Sequence, residues 1–459
     1  MDQNLLNETE SNSFMHLKSL KILRLQQNQL NSIKNDTFFK LEKLETLQLS
    51  QNEIQSVEAG SFSGLLSIID LRLNINLIKN IPSYTFSNLK TLQTLALQYN
   101  EISTININIF NCLIKIKKLT LFSMKLAKIE NKYFHNLFTL EILDLSNNDI
   151  HSIEENSFDD LVKLTNLTMS SNKLQTFKTA NLFKHVESLL SLDLSRNRFV
   201  SILPKTFESL TKLILLNLSS NNLDGLSENV FKGLSSLLKL DLSYNSITII
   251  SRNFLNGVFS LKELILNNNK LKLIETTSFR DLRNLTALNL EYNSIVELSE
   301  NDSFYNLINL KKLLLGHNLI KSIQSIKLNL KHLPNLDSIS LSDNFIRKLD
   351  INDFELNLNL KLINLNNNPI VEIHKATFKS LRYLNSLYIS NSLMTNISLD
   401  ILQDKTISKI DLSHNTIDID LQIKTFEKCQ IAELESVRFL SSNLTFEPFI
   451  NPNTTSLGK

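Results

Sequence analysis

Aliphatic residues return along this chain at a fixed cadence, with polar residues held between them. Leu140 to Leu161 reads LEILDLSNNDIHSIEENSFDDL. The stretch LTNLTMSSNKLQTFKTANLF follows from Leu164, and LILLNLSSNNLDGLSENVFKGL runs from Leu213 to Leu234. The shared frame is L-x-x-L-x-L-x-x-N-x-L. Its L-x-L core has the period-two alternation of a short strand, with leucines on one face and the intervening residues on the other. Aligned on this frame the chain gives 17 copies. Asparagine closes the frame at Asn28, Asn52, Asn76, Asn100, Asn148, Asn172, Asn197, Asn221, Asn245, Asn269, Asn293, Asn318, Asn344, Asn368 and Asn415. Met124 and Ser392 stand in its place in the two remaining copies. Most spacings equal that from Asn28 to Asn52, with one or two residues inserted near Asn197, Asn318 and Asn344.

One short strand per copy, always reached by a long connection in the same sense, requires parallel pairing. Once the strand ends, the chain turns away and leaves backbone groups in need of partners. An asparagine amide carries both donors and an acceptor, so it can satisfy them and link one copy to the next. A further apolar pair follows, such as Ile150 and Ile153. A phenylalanine then stands ten places beyond the asparagine: Phe38, Phe62, Phe86, Phe110, Phe134, Phe158, Phe207, Phe231, Phe279, Phe354 and Phe378. These rings are expected to stack from copy to copy as an aromatic spine. That spine explains much of the 26 phenylalanines in a chain with no tryptophan. Each copy is therefore one coil of a solenoid that buries its apolar side only against its neighbours. This architecture replaces the three or so domains that 459 residues would otherwise suggest.

These features resemble the leucine-rich repeat family, and the resemblance covers residues 16–417. The 24-residue length and the phenylalanine are similar to its typical class, found mainly in animal extracellular proteins. Pro82 and Pro204 stand where that class often has L-P before x-x-F. The G-x-I-P of plant receptors and the longer helical repeats of the ribonuclease-inhibitor class are absent. The resemblance implies an α/β solenoid of about 17 repeats. It would be curved, with a parallel sheet on the concave face and irregular or short helical segments on the convex face. Among animal members, the long array without internal cysteines looks most like chaoptin-type adhesion proteins. Toll-type receptor ectodomains and the acid-labile-subunit type come next.

Members outside the cell usually close both ends with disulfide-bonded cysteine caps, which this sequence lacks. Residues 1–15 read as an N-terminal flank, and residues 418–459 read as an irregular segment with a degenerate last repeat. An uncapped end leaves an apolar cross-section bare, so the chain is expected to be a stretch of a longer protein. Its only cysteines, Cys112 and Cys429, lie roughly thirteen repeats apart. At ~4.8 Å per strand they are too far apart for a disulfide, which needs Cα atoms within ~7 Å. Cys429 reads as a buried, inert thiol in a leucine position. The start MDQNLLNETESNSF has no basic start and no apolar core of a secretory signal. The end NPNTTSLGK carries neither a prenylation box nor a lipid-anchor tail. No stretch approaches the ~20 apolar residues of a membrane span.

Lysine and arginine number 48 against 46 acidic residues, a net charge of +2. That balance does not favour nucleic acid or an anionic membrane as a bulk partner. No catalytic or metal constellation is legible. The eight histidines (His16, His135, His151, His185, His317, His332, His374 and His414) are scattered, and none has metal-ligand spacing with a cysteine or carboxylate. The recurrent Asp-Leu-Ser at Asp144, Asp193, Asp241 and Asp411 reads as a solvated strand face. We expect no enzyme and no cofactor.

Nine N-x-S/T sequons occur, at Asn7, Asn35, Asn166, Asn217, Asn284, Asn301, Asn396, Asn443 and Asn453. Nine is what so Asn-rich a chain yields by chance, so they do not establish secretion. Asn217 falls between Leu216 and Leu218, so a glycan there would block the strand face. Departures from the polar pattern are the better binding candidates. Phe122, Ile265, Leu314 and Tyr388 place apolar groups where most copies have Asp, Asn, Ser or Thr. Tyr99, Tyr244 and Tyr292 precede the asparagine, at the edge of the same face. Single exposed apolar residues are ordinary, but Ile265, Tyr292 and Leu314 fall on three successive copies. The expected role is non-enzymatic protein recognition at a cell surface, by a protein ligand or a homophilic partner on the concave face. Membrane attachment would come through parts outside this chain. The alternatives are the ligand-binding ectodomain of a Toll-type signalling receptor and an intracellular scaffold.

Overall fold

The computed structural model describes residues 2–298, 302–397, 401, 407–417, 436–438 and 445–446. The chain divides into two units, residues 1–245 with 254–259, and residues 246–253 with 260–459. In the first unit, ten three-residue strands from Ile22–Arg24 to Lys239–Asp241 pair in chain order. Every pairing is parallel and steps by one repeat, as in Ile22↔Thr46, Thr46↔Asp70 and Leu215↔Lys239. In the second unit, seven strands from Glu263–Ile265 to Lys409–Asp411 pair in the same way. Each of the 17 sequence copies thus supplies one strand. Two further short strands lie within residues 418–459: Ser436–Arg438 pairs in parallel with Lys409–Asp411, and Thr445–Phe446 turns back antiparallel on it.

The middle residue of each of the 17 strands is buried, and so is the leucine or its substitute two places on. The asparagine follows, and Asn148 shows its bonding. Its amide nitrogen donates to the carbonyls of Leu145 (3.0 Å) and Ser146 (3.1 Å) in its own turn, and to that of Leu121 (2.9 Å) in the turn before. Its oxygen accepts the Leu126 N–H of the preceding turn at 3.2 Å. The same links occur at Asn52, Asn172, Asn221 and Asn344. They satisfy backbone groups that a three-residue strand cannot reach. The pattern even extends behind the first copy. Asn4 stands one repeat before Asn28 and donates to the Asp2 carbonyl (2.8 Å), while Leu6 N–H reaches Asn28 Oδ1 at 3.2 Å. Residues read as a flank therefore supply half a turn, and Phe14 stacks on Phe38 with centroids 5.9 Å apart.

The ladder is broken where the sequence lacks asparagine. Met124 is buried and offers no amide to the Ile102 N–H. Ser392 Oγ is buried without a hydrogen-bond partner, and Ile370 N–H turns instead to the Asn368 carbonyl at 2.8 Å. Pro369 removes a different bond one turn earlier, because it has no N–H for the link that Glu53 or Asp149 makes to the turn before.

Opposite the strands the chain runs mostly through turns, with two-residue parallel pairings such as Ser32–Ile33 with Ser56–Val57. Phenylalanine rings stack there from Phe14 through Phe38 and Phe62 to Phe86, and from Phe134 through Phe158 and Phe183 to Phe207. Their centroids are 5.9–6.2 Å apart, against ~4.8 Å between strands. Within each stack this wedge tilts successive turns towards the strand face. The insertion between Asn318 and Asn344 becomes a helix, Gln324–Leu330. A buried hydroxyl usually precedes the phenylalanine: Thr37 Oγ1 donates to the Lys34 carbonyl at 2.9 Å and Ser61 Oγ to the Ile33 carbonyl at 2.8 Å. Asp353 takes that place before Phe354. It is buried, and accepts from Asp350 N–H (2.7 Å) and Gln324 Nε2 (2.8 Å). Burial holds its carboxyl above the ordinary range, although those two hydrogen bonds oppose the shift.

Two outcomes follow. Amide hydrogen exchange should be faster at Ile102 and Ile370 than at Leu126, Ile150 and Ile346, because stability in stacked repeats is nearest-neighbour. Asn148→Ala should cost ~1–3 kcal/mol in denaturant unfolding, since buried carbonyls and an N–H lose their partner. Equal protection at all five amides would remove this account of the ladder. The second outcome concerns pH. A carboxyl whose folded pKa is raised binds its proton more tightly when folded. Its contribution is therefore most favourable below the unfolded value (~3.9) and is lost as pH rises through the folded one. The stability change on Asp353→Thr should accordingly be more favourable at pH 7 than at pH 4. The reverse order in guanidinium melts at the two pH values would contradict the burial argument.

Candidate functional site

Each turn presents four side chains on the outward side of the strands. Two are the first and third strand residues. A third stands two places before the ladder position, and the last stands one place before it. That last residue has φ between 51° and 58° in all 17 copies, and none of them is glycine. Such a left-handed backbone is disfavoured for most L-residues. The turn enforces it through bonds to the next repeat, such as His317 N–H to the Ser342 carbonyl at 2.8 Å. The side chain is thrown to the rim of the strand face. Tyr99, Tyr244 and Tyr292 occupy this row and are 52%, 57% and 48% exposed.

Ile265, Leu314 and Tyr388 are all third strand residues, as their registers show: Ile265↔Asn289↔Leu314 and Asn364↔Tyr388. Each is half-buried among its neighbours. Phe122 does not share their row. Thr120 fills it, in register with Ala96 and Asp144, and Phe122 stands two places later in the row of Ser146. The outward alternation continues one step past the strand, so both positions face solvent and a pattern reading merges them. Phe122 meets Tyr99 edge-on, with centroids 5.0 Å apart.

In the first unit Thr120 and Phe122 border a recess of about 490 Å³ that the sequence reading missed. Its floor is Ala96, the smallest side chain in the third-residue row, between Arg72 and Thr120. The walls are already paired. Arg72 Nη2 bonds Asp70 at 3.0 Å, and Thr120 Oγ1 donates to Gln98 at 2.7 Å. A lone alanine in a row of larger groups was the available signal.

In the second unit the rim residues join into a continuous rail. The Tyr292 ring lies flat on the His317 ring, 3.9 Å between centroids and 11° from parallel. His317 Nε2 pairs with Asp343 Oδ2 at 3.2 Å. Asn367 Nδ2 donates to Asp343 Oδ1 (2.9 Å), and Asn391 Nδ2 donates to Asn367 Oδ1 (3.0 Å). Five successive turns are thereby linked outside the core. Of the trio singled out from sequence, Ile265 and Leu314 flank Asn289 in one row, and Tyr292 stands on the rim of the turn between them. His317, Asp343, Asn367 and Asn391 look unremarkable in sequence, because only the common register makes them neighbours.

The sequon asparagines Asn7, Asn35, Asn166, Asn284 and Asn396 are exposed. Asn217 is half-buried between Asp193 and Asp241, and its Oδ1 accepts Ser219 N–H at 3.0 Å. Asn301, Asn443 and Asn453 lie outside the described residues, as does Cys429. Cys112 is a free, half-buried thiol.

Comparison with known proteins places this architecture. The leucine rich repeat family matches residues 18–74, 70–126, 114–174, 179–223, 212–271, 259–320 and 358–417. Epiphycan of Gallus gallus is 33% identical over 144 residues, covering 31% of this chain and 42% of epiphycan. This chain therefore spans less than half the length of that relative. A leucine-rich repeat protein of Leptospira interrogans is similar in structure with a TM-score of 0.70 at 25% identity, over 95% of this chain and all of that one. Drosophila Toll, solved in complex with Spatzle, gives 0.75 at 19% identity, over 89% of this chain and 58% of Toll. TLR13, solved with the RNA ssRNA13, gives 0.61 at 20% identity, over 96% and 87% of the two chains. With its sequence frame matched over most of its length and one strand per copy, this chain belongs to the leucine-rich repeat family.

Proposed function

We propose that this chain is a non-enzymatic recognition module at a cell surface, an adhesion protein or receptor ectodomain, and that it docks a protein partner on its strand face. The observation that carries the reading is the rail from Tyr292 to Asn391. Tyr292 contributes nothing to the buried core, yet stacking on His317 fixes its ring, and His317 is in turn held through Asp343 and Asn367. An exposed aromatic whose rotamer is already fixed loses little entropy on binding. Tyrosine is also favoured at the energetic centres of interfaces. Ile265 and Leu314 add apolar surface beside it, where burial against a partner contributes ~1.5–3 kcal/mol per large side chain before association costs. Exposed sequons such as Asn7, Asn35 and Asn396 suit a glycosylated surface. The balanced charge weighs against nucleic acid as the general ligand.

The test combines Ile265→Ser, Tyr292→Asn and Leu314→Asn, with folding checked by circular dichroism. Chain-coated beads are then scored for binding to cells and to one another, with and without protease or ribonuclease treatment. Protease-sensitive, ribonuclease-resistant binding should fall tenfold or more in the triple variant, in line with the loss of interface anchors. Full binding by a well-folded triple variant would show that another surface is used. Loss of binding with ribonuclease would favour an RNA ligand instead.

A further inference from the structure

Gly316 is the one glycine in the row two places before the ladder position, and Glu291, in the turn before it, is the one acidic residue there. The missing side chain and the added carboxylate fit together. A Cβ added to Gly316 would lie 3.1 Å from Glu291 Oε1 and 2.9 Å from Ser342 Oγ. The missing side chain leaves a shallow notch that the Glu291 carboxylate and the Ser342 hydroxyl already line, with Gly316 itself buried beneath them. Glu291 N–H is anchored to Asn289 Oδ1 at 2.9 Å, which fixes the base of the side chain. Among the described residues, no hydrogen bond or ion pair reaches the carboxylate itself. Burial holds its carboxyl above the ordinary range, while the charges of His317 and Lys312 pull it back and Asp343 pushes it further up. A part-desolvated carboxylate without a partner gains most from a charge-assisted hydrogen bond.

The surroundings decide what kind of donor fits. On the rim side stand the stacked rings of Tyr292 and His317, and two places before Gly316 stands half-buried Leu314. Asp343 is already engaged by His317 and Asn367. That leaves Glu291 as the carboxylate of this patch with no ion pair of its own among the described residues. The geometry points to a receptor site for one cationic side chain of the protein partner. Its head would meet Glu291 over Gly316, its aliphatic stem would cover Leu314, and its cationic plane would lie beside Tyr292. Arginine fits better than lysine, because its guanidinium is planar, weakly hydrated, able to bind a carboxylate through two N–H groups and able to stack on an aromatic face.

This inference rests on the strand face being the docking surface, and it is tested without any partner. N-acetyl-arginine amide is titrated into the nitrogen-15-labelled chain while the glycine amide signals are followed; N-acetyl-citrulline amide serves as the neutral isostere. The Gly316 signal should shift saturably with the arginine amide and remain unmoved by the citrulline amide. Glu291→Gln should weaken the apparent affinity at least fivefold while the other glycine signals keep their positions. Gly316→Ser, which restores the commonest residue of that row, should abolish the saturable response of the neighbouring backbone amides to the arginine amide. A Gly316 signal that ignores the arginine amide, or one that moves equally in Glu291→Gln or with citrulline amide, overturns the notch. Such a result leaves the triple-substitution test of the strand face standing, so the two readings fail separately.

Discussion

The structure depends on an asparagine amide that bonds only to backbone. A three-residue strand makes too few ladder bonds to stand alone, and the turn that follows it would bury carbonyls and N–H groups without partners. Asn148 and its equivalents resolve this by donating to two turns at once and accepting from the earlier one. Because every partner is main chain, the link is indifferent to the side chains around it. What it demands is a constant spacing between turns on the strand side. The insertions near Asn197, Asn318 and Asn344 are compatible with it because the extra residues loop out on the opposite side, in one case as the helix Gln324–Leu330.

This division leaves the outward rows freer to vary than the core, although Asn217 and Asn289 among them still cap a backbone N–H. Leucines fill the interior, asparagines satisfy the turns, and phenylalanines separate the turns on the far side, as at Phe38 and Phe62, whose centroids are 6.0 Å apart. The outward residues then vary from copy to copy: Arg72, Ala96, Thr120 and Asp144 are successive occupants of one row. Local shapes arise from that variation. Alanine makes a recess in the first unit, glycine makes a notch in the second, and a run of rim residues becomes a hydrogen-bonded rail. The left-handed turn residue assists by projecting its side chain away from the core in every copy.

The same economy explains where the array is weakest. Met124 and Ser392 keep the turn's shape, and both remain buried, but neither can bridge the two turns as an amide does. Pro369 adds a second missing donor to the neighbourhood of Ser392. On the far side Asp353 replaces a hydroxyl that needs no ionisation, so one repeat carries a buried carboxyl where its neighbours carry Ser61 or Thr37.

The period, the parallel strands, the buried leucines and the asparagine ladder could be read from the sequence because each repeat meets a copy of itself one step away. Local pattern and long-range contact are then the same information. Even so, the pattern reading placed the ladder's first member at Asn28 and overlooked Asn4, which has no L-x-L frame before it. It also merged the rows of Phe122 and Ile265, since alternation marks a face and not a position on it. Tyr292, Ile265 and Leu314 were legible as chemical exceptions. The stack on His317, the pair with Asp343, the recess over Ala96 and the Glu291 side chain leaning over Gly316 were not. They depend on which side chains stand side by side across neighbouring turns, and on how far each one reaches. Sequence determined the register of the solenoid; packing between neighbouring turns decided what its surface became.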